Sequence, residues 1–196
     1  MDHSERNVSV IGHRQDLGEC VLGTHVGKFI DIINPNPDLI EIEDIATGLS
    51  RAARFGGQSQ EPYYVAEHSV CVALYVRDQG GDPNTMLAAL LHDAAEAYMG
   101  DMPSPIKQFI PQFCEIEDRL KDAIMSRFGV VSSNVDWSLV KEGDVASFCA
   151  EAALHMPQCE FNINCELYNK AVMMTPMLQN QAKHFFLDWY DELRVL

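Results

Sequence analysis

The run Leu90-Leu91-His92-Asp93-Ala94-Ala95-Glu96 sets three ionisable groups at the end of a segment, Met86 to Leu91, that is apolar throughout. An unpaired buried carboxylate is expensive, so such a group is ion-paired, hydrogen-bonded or bound to a metal. In a helix His92 and Glu96, four apart, share a face, and Asp93 lies one step round. A solitary His–Asp pair is more often structural than functional, but three further features count against that here. His68 interrupts the otherwise apolar helical pattern around Val65-Ala66 and Ser69-Val70. Asp144 stands on the stripe Val140–Asp144–Phe148, where leucine would be the natural filler. Asp101 follows Gly100 and opens the proline-stiffened loop Asp101-Met102-Pro103-Ser104-Pro105-Ile106-Lys107. Two imidazoles and two carboxylates suit a first-row divalent ion (Mn, Fe, Co, Ni or Zn) better than Ca or Mg, without choosing among the five.

The ordered set His68, His92-Asp93, Asp144 resembles the signature of the HD superfamily of metal-dependent phosphohydrolases. Four stretches carry the likeness further: Leu49-Ser50-Arg51-Ala52-Ala53-Arg54-Phe55, Val65-Ala66-Glu67-His68-Ser69, Leu91-His92-Asp93-Ala94-Ala95-Glu96, and Gly100 to Lys107. They are similar to the bacterial 5′-deoxynucleotidase branch and its small phage relatives, which include dATP triphosphohydrolases, and they cover about residues 40 to 150. The run from Phe29-Ile30-Asp31 to Glu43-Asp44-Ile45-Ala46 resembles the wider phage and bacterial group. The resemblance implies that His68, His92, Asp93 and Asp144 ligate the ion, that Glu96 and Asp101 are the catalytic carboxylates, and that Arg54 contacts phosphate, which a guanidinium can grip through two oxygens at once. Lys107, after the stiff loop, is a second phosphate candidate, set against the plain alternative of a surface lysine. Phe55 either stacks on the sugar or base or belongs to the core. Two positions depart from the pattern: Phe55 stands where many relatives carry Trp, and Gln58 where relatives in the wider group often carry His.

These side chains need helices to hold them. Residues 1–40 are the least helical stretch. Glycines at 12, 18, 23 and 27 punctuate short β-branched pieces, and Asn34-Pro35-Asn36-Pro37 is a strong turn, so a hairpin or irregular cap is expected before a helical domain over 41–196. Asp44 is placed to cap a helix carrying Ile45, Leu49 and Ala52, which Gly56-Gly57 ends. Apolar spacing predicts a helix from about Tyr64 to Arg77. Asp82-Pro83 starts another, read as continuous from Asn84 to Met99, apolar all round and therefore central. Further helices are expected over Pro111–Phe128, from Asp136 toward His155, and after Thr175-Pro176. His155, eleven residues beyond Asp144 on one helix, is too far along to share its ion. Five or six helices with no long strand predict an all-α bundle of the HD-domain type.

Composition narrows the function classes. The 196 residues are 47% hydrophobic, enough for a true core, and carry 14 basic against 29 acidic side chains, a net charge of −15. Such a surface repels nucleic-acid polymers, which are bound through lysines and arginines; a small anion in a local pocket remains compatible. Six cysteines without a Cys-x-x-Cys pair read as reduced thiols, and no signal pattern or apolar run of membrane length is present, so a cytoplasmic protein without a membrane partner is expected. The aromatic stripe Phe185, Phe186, Trp189 reads as core or subunit contact, and the family likeness implies a homo-oligomer. The leading expectation is metal-dependent hydrolysis of a phosphate ester of a small (deoxy)nucleotide, as a 5′-deoxynucleotidase or a deoxynucleoside triphosphate triphosphohydrolase with dATP among its substrates. Two alternatives are an alarmone or cyclic-nucleotide hydrolase and a non-catalytic metal-binding regulatory module. A diiron oxygenase is more remote, because additional ligands are too few.

Overall fold

The computed structural model describes residues 20–172 and 174–195; Gly12 and Gly18 lie outside them. The first elements are an antiparallel hairpin, β1 (Val21–Gly23) and β2 (Phe29–Asp31), with Val21 opposite Asp31 and Gly23 opposite Phe29. It is the only sheet among the described residues. Everything after it is helical or loop: α1 (Ile42–Leu49), α2 (Val65–Asp78), α3 (Pro83–Leu90), α4 (Glu96–Met99), α5 (Ser104–Lys107), α6 (Pro111–Arg127), α7 (Trp137–His155), α8 (Cys165–Lys170) and α9 (Gln179–Leu193). The chain is thus the expected all-α bundle with a small N-terminal hairpin. No helix among the described residues is long and apolar enough to cross a membrane.

The centre of the bundle is α2. Every residue from Val65 to Val76 is buried, and α3, α7 and α9 pack around it. A helix enclosed on all sides must be apolar or have its polar groups satisfied. Glu67 shows how: it accepts hydrogen bonds from the backbone N–H of Tyr64 (3.0 Å) and of Met177 (2.8 Å), so one buried carboxylate both ties the first turn of α2 and anchors the approach to α9. Two glycines permit close crossings. A Cβ at Gly143 would stand 3.1 Å from a ring carbon of Tyr75, so α7 meets α2 closely beside Asp144; a Cβ at Gly48 would collide with the Ala97 carbonyl where α1 meets α4.

Four expectations change. The helix read over 84–99 is broken: α3 ends at Leu90, and residues 91–95 form tight turns before α4. Their bonds run from residue i to i−3 (Ala94 to Leu91, Glu96 to Asp93, Ala97 to Ala94). At that pitch residues three apart eclipse, which aligns Glu96 with Asp93 rather than with His92. The second change is at the start of α1. Glu41, not Asp44, is its N-terminal flanking residue, and the Asp44 carboxylate instead accepts from the Val26 backbone N–H at 2.8 Å, joining the hairpin to the bundle. Third, α9 begins at Gln179, after Leu178, rather than at Thr175-Pro176. Fourth, α1 ends at Leu49 with Ser50 as its C-cap, so Ala52 and Gly56-Gly57 lie beyond it; α8, which the sequence did not signal, is capped by Asn164, which accepts from the N–H groups of Glu166 and Leu167.

Candidate metal centre and its cavity

Three helical segments deliver four side chains to one point. His68 comes from the second turn of α2, His92 and Asp93 from the turns after α3, and Asp144 from α7. His92 Nε2 lies 3.2 Å from Asp93 Oδ2 and 4.0 Å from Asp144 Oδ1; His68 Nε2 lies 3.3 Å from Asp144 Oδ1 and 3.7 Å from Asp93 Oδ2. Donors sharing one ion through bonds of roughly 2.1 Å stand roughly 3.0–4.2 Å apart, and these four imidazole–carboxylate distances fall in that range.

The proton positions follow from the partners. His92 Nδ1 is 2.7 Å from the Ala89 carbonyl, which can only accept, so Nδ1 carries the hydrogen. His68 Nδ1 is 2.7 Å from the Glu151 carboxylate, with the same consequence. Each Nε2 therefore points inward, and both are buried without a hydrogen-bond partner. A buried polar atom left bare is costly, and a metal ion held between neutral imidazoles and the two aspartates removes that cost. His68, His92 and Asp93 form a cluster that could hold a metal ion, and Asp144 faces it from α7. The other oxygen of Asp144 accepts from Lys141 Nζ at 2.7 Å.

The charges agree. Burial works to raise the Asp93 carboxyl, but His92, His68 and Arg54 outweigh it and hold it well below the usual range. Asp144 is depressed in the same way, burial being overcome by His68, His92 and Lys141. Glu96 moves oppositely: burial, reinforced by Asp93 and Asp101, pushes it well above the ordinary value against the pull of Lys107 and Arg54. Asp101 is raised by burial, with Arg54 opposing and Asp93 reinforcing. The cluster thus contains two carboxylates that stay ionised and two that hold protons more readily.

Beside the cluster lies a cavity of about 470 Å³, lined among others by Arg54, Phe55, Asp101, Asp144, Phe148 and Phe161. Arg54 is placed by the start of α2: its N–H donates to the Tyr63 carbonyl, and Ala53 bridges to Tyr64. Its guanidinium donates to Glu151 Oε2 through Nη2 (3.0 Å) and Nε (3.3 Å). Phe55 adopts a left-handed backbone (φ 57°), which costs a residue with a Cβ roughly 1–2 kcal/mol. Its ring is 6.1 Å from that of Phe148, which meets Phe161 edge-on at 5.7 Å.

The other expected site residues divide. Asp101 faces the cavity. Glu96 is buried just outside it, accepting from Lys107 Nζ at 3.2 Å through one oxygen while the other has no partner. Lys107 does not line this cavity. It lines a smaller one of about 90 Å³ with His92, Asp93 and Glu117, and donates to Glu117 as well as Glu96. Gln58 is exposed, and His155 stacks on Tyr63 at 4.4 Å, at the far end of α7.

Sequence reasoning missed Glu151. It is buried beside His68, Arg54 and Tyr63, and the first two, overcoming burial, hold its carboxyl down at about 2. The signal was present: Glu151 stands seven residues after Asp144, two helical turns along the same stripe of α7.

No family model matches the chain. It is 46% identical to an uncharacterised protein of Rhodobacter capsulatus over 109 residues, 53% of this chain and 56% of that protein. It is 35% identical to the uncharacterised protein YfdR of Escherichia coli over 107 residues, 55% of this chain and 57% of that one. The chain thus spans a little over half the length of these curated relatives. Among solved structures it is similar to a conserved hypothetical protein from Pyrococcus furiosus (22% identity, TM-score 0.47, 79% of this chain and 98% of that one). It is also similar to the HD phosphohydrolase DatZ of cyanophage S-2L, solved with dA and one catalytic Zn2+ (20% identity, TM-score 0.44, 77% and 91%).

Proposed function

We propose that the protein is a metal-dependent phosphohydrolase acting on a small deoxynucleotide. One observation carries the reading: the bare, inward-facing Nε2 atoms of His68 and His92, set against Asp93 and Asp144, open beside a cavity that offers a guanidinium on one side and aromatic rings on the other. The cavity volume falls within the roughly 300–1,000 Å³ of small-molecule sites. The sequence resemblance to the HD superfamily supports the same chemistry.

His68, His92, Asp93 and Asp144 would hold the ion, which acidifies water and neutralises phosphoryl charge when bound. The chain's own groups do the rest. Arg54 grips phosphate oxygens at the cavity edge and keeps the ester against the cluster. Asp101, raised in pKa and facing the cavity, donates a proton to the departing ribose oxygen. Glu96, eclipsed with Asp93 and steadied by Lys107, holds the attacking water by hydrogen bonding. Phe55, Phe148 and Phe161 take the base or sugar and keep bulk water from that side. In this reading the product is a nucleoside with phosphate or with a longer phosphate chain, according to where the substrate is cut.

Release of phosphate, pyrophosphate and triphosphate from a panel of deoxynucleotides, with Mn, Co, Mg and Zn in turn, tests the reading. Hydrolysis that depends on a transition metal and disappears in Asp93→Ala supports it. An Asp93→Ala protein as active as wild type sinks it. The same panel extended to alarmones and cyclic nucleotides separates the neighbouring substrate classes.

A further inference from the structure

Glu151 belongs neither to the four donors nor to the lining of the large cavity, yet it touches a member of each, His68 and Arg54. Its Oε1 takes the Nδ1–H of His68 at 2.7 Å and the hydroxyl of Tyr63 at 3.3 Å; its Oε2 takes Nε and Nη2 of Arg54. The carboxylate is 4% exposed, His68 is fully buried and Arg54 is 12% exposed, so water screens these contacts poorly. Both ends of the group must accept. A carboxylate can do this, whereas an amide turns a donor toward either His68 or Arg54.

The geometry points to Glu151 as a positioning residue that sets the affinity of the site for its ion, with Arg54 as the counter-cation that tempers it. This rests on the metal reading of His68, His92, Asp93 and Asp144. A carboxylate on the far nitrogen of a ligating histidine fixes the ring's tautomer and orientation and makes the lone pair at Nε2 a stronger donor, an effect worth roughly 10–100-fold in ion affinity. Arg54 draws on the same negative charge. Arg54 and the ion are therefore linked through Glu151: strengthening one partner's hold on the carboxylate weakens what the other receives.

Loss of the carboxylate and loss of its guanidinium partner then act in opposite directions, which a merely structural role does not produce. Co2+ affinity of the full chain, measured by equilibrium dialysis and by the visible absorption of the bound ion, reads this directly. Glu151→Gln is expected to weaken Co2+ binding by roughly 10–100-fold. Arg54→Met, which relieves the competition for charge, is expected to bind Co2+ at least as tightly as wild type. Tyr63→Phe, which removes a neutral donor from the same oxygen, is expected to stay within about threefold of wild type, since a neutral hydrogen bond contributes on the order of 0.5 kcal/mol at the low end.

Wild-type protein that takes up no Co2+ overturns the metal reading and this inference with it. Wild type that binds while Glu151→Gln binds equally well overturns this inference alone. Should Glu151→Gln lose its helical circular dichroism, Arg54→Met decides: affinity equal to or tighter than wild type supports the linkage, and weaker binding overturns it.

Discussion

At the floor of the cavity His68 is fully buried and each of its ring nitrogens faces a carboxylate, whereas on the wall Phe148 and Phe161 are 36% and 37% exposed and meet each other edge-on. The floor is made of buried polar groups, and three of its four side chains are fixed by a partner outside the cluster: Ala89 for His92, Glu151 for His68, Lys141 for Asp144. The wall is made of apolar groups that solvent tolerates and few neighbours constrain. In the proposed function, the floor carries the reaction and can hardly vary, while the wall reads the substrate and can change at little cost to the fold.

Breaking the floor should give the largest effect. Asp93→Ala removes a donor from between the two imidazoles, and the loss of several kcal/mol of metal-assisted stabilisation lowers hydrolysis by roughly a thousandfold or more. Bound-metal content and product release measured on one sample check this. Next comes the rim between floor and wall. Arg54→Met gives up charge-assisted hydrogen bonds of about 1.5–3 kcal/mol to phosphate, a roughly tenfold to hundredfold rise in KM, while the ion stays bound. A raised KM accompanied by metal loss would place Arg54 with the floor instead.

On the wall, Phe148→Ala should raise KM for a deoxynucleotide by roughly fivefold, the equivalent of about 1 kcal/mol of base stacking. Metal content should not change, and the defect should vanish with deoxyribose 5-phosphate, which has no base. An equal defect with both compounds would assign Phe148 to the fold rather than to recognition.

The smallest effect lies outside both regions. Asp82 caps α3, the helix that leads into His92, accepting from the N–H groups of Asn84 and Thr85 and from the Thr85 hydroxyl. Asp82→Ala should cost about 1 kcal/mol in stability without altering the site. The Thr85 hydrogen bond, opposed by burial, lowers the Asp82 pKa in the folded protein. Its stabilisation is therefore complete above the unfolded value of about 3.9 and is lost as the pH falls through the folded value. Denaturant titrations should show the gap between wild type and variant closing in acid.

Much of this was legible in the sequence because burial imposes a periodicity. Apolar spacing located α2, α6 and α7, Asp82-Pro83 marked the start of α3, and the conspicuous polar interruptions at His68, His92, Asp93 and Asp144 are the side chains the fold brings together. Tertiary structure decided what local spacing cannot encode. It broke the segment at residues 91–95, because His92 Nδ1 takes the Ala89 carbonyl and the following bonds tighten to i−3. It enclosed α2 beside α3, whose residues Thr85 to Leu90 are all buried as expected, because which helices are enclosed depends on how the others pack. It brought Glu151 to His68 and Arg54, 83 and 97 residues away in the chain, and drew Lys107 into the carboxylates Glu96 and Glu117 away from the cavity. Residue type and spacing fix which groups are too polar to be buried alone; only the packed fold determines which partner each one finds.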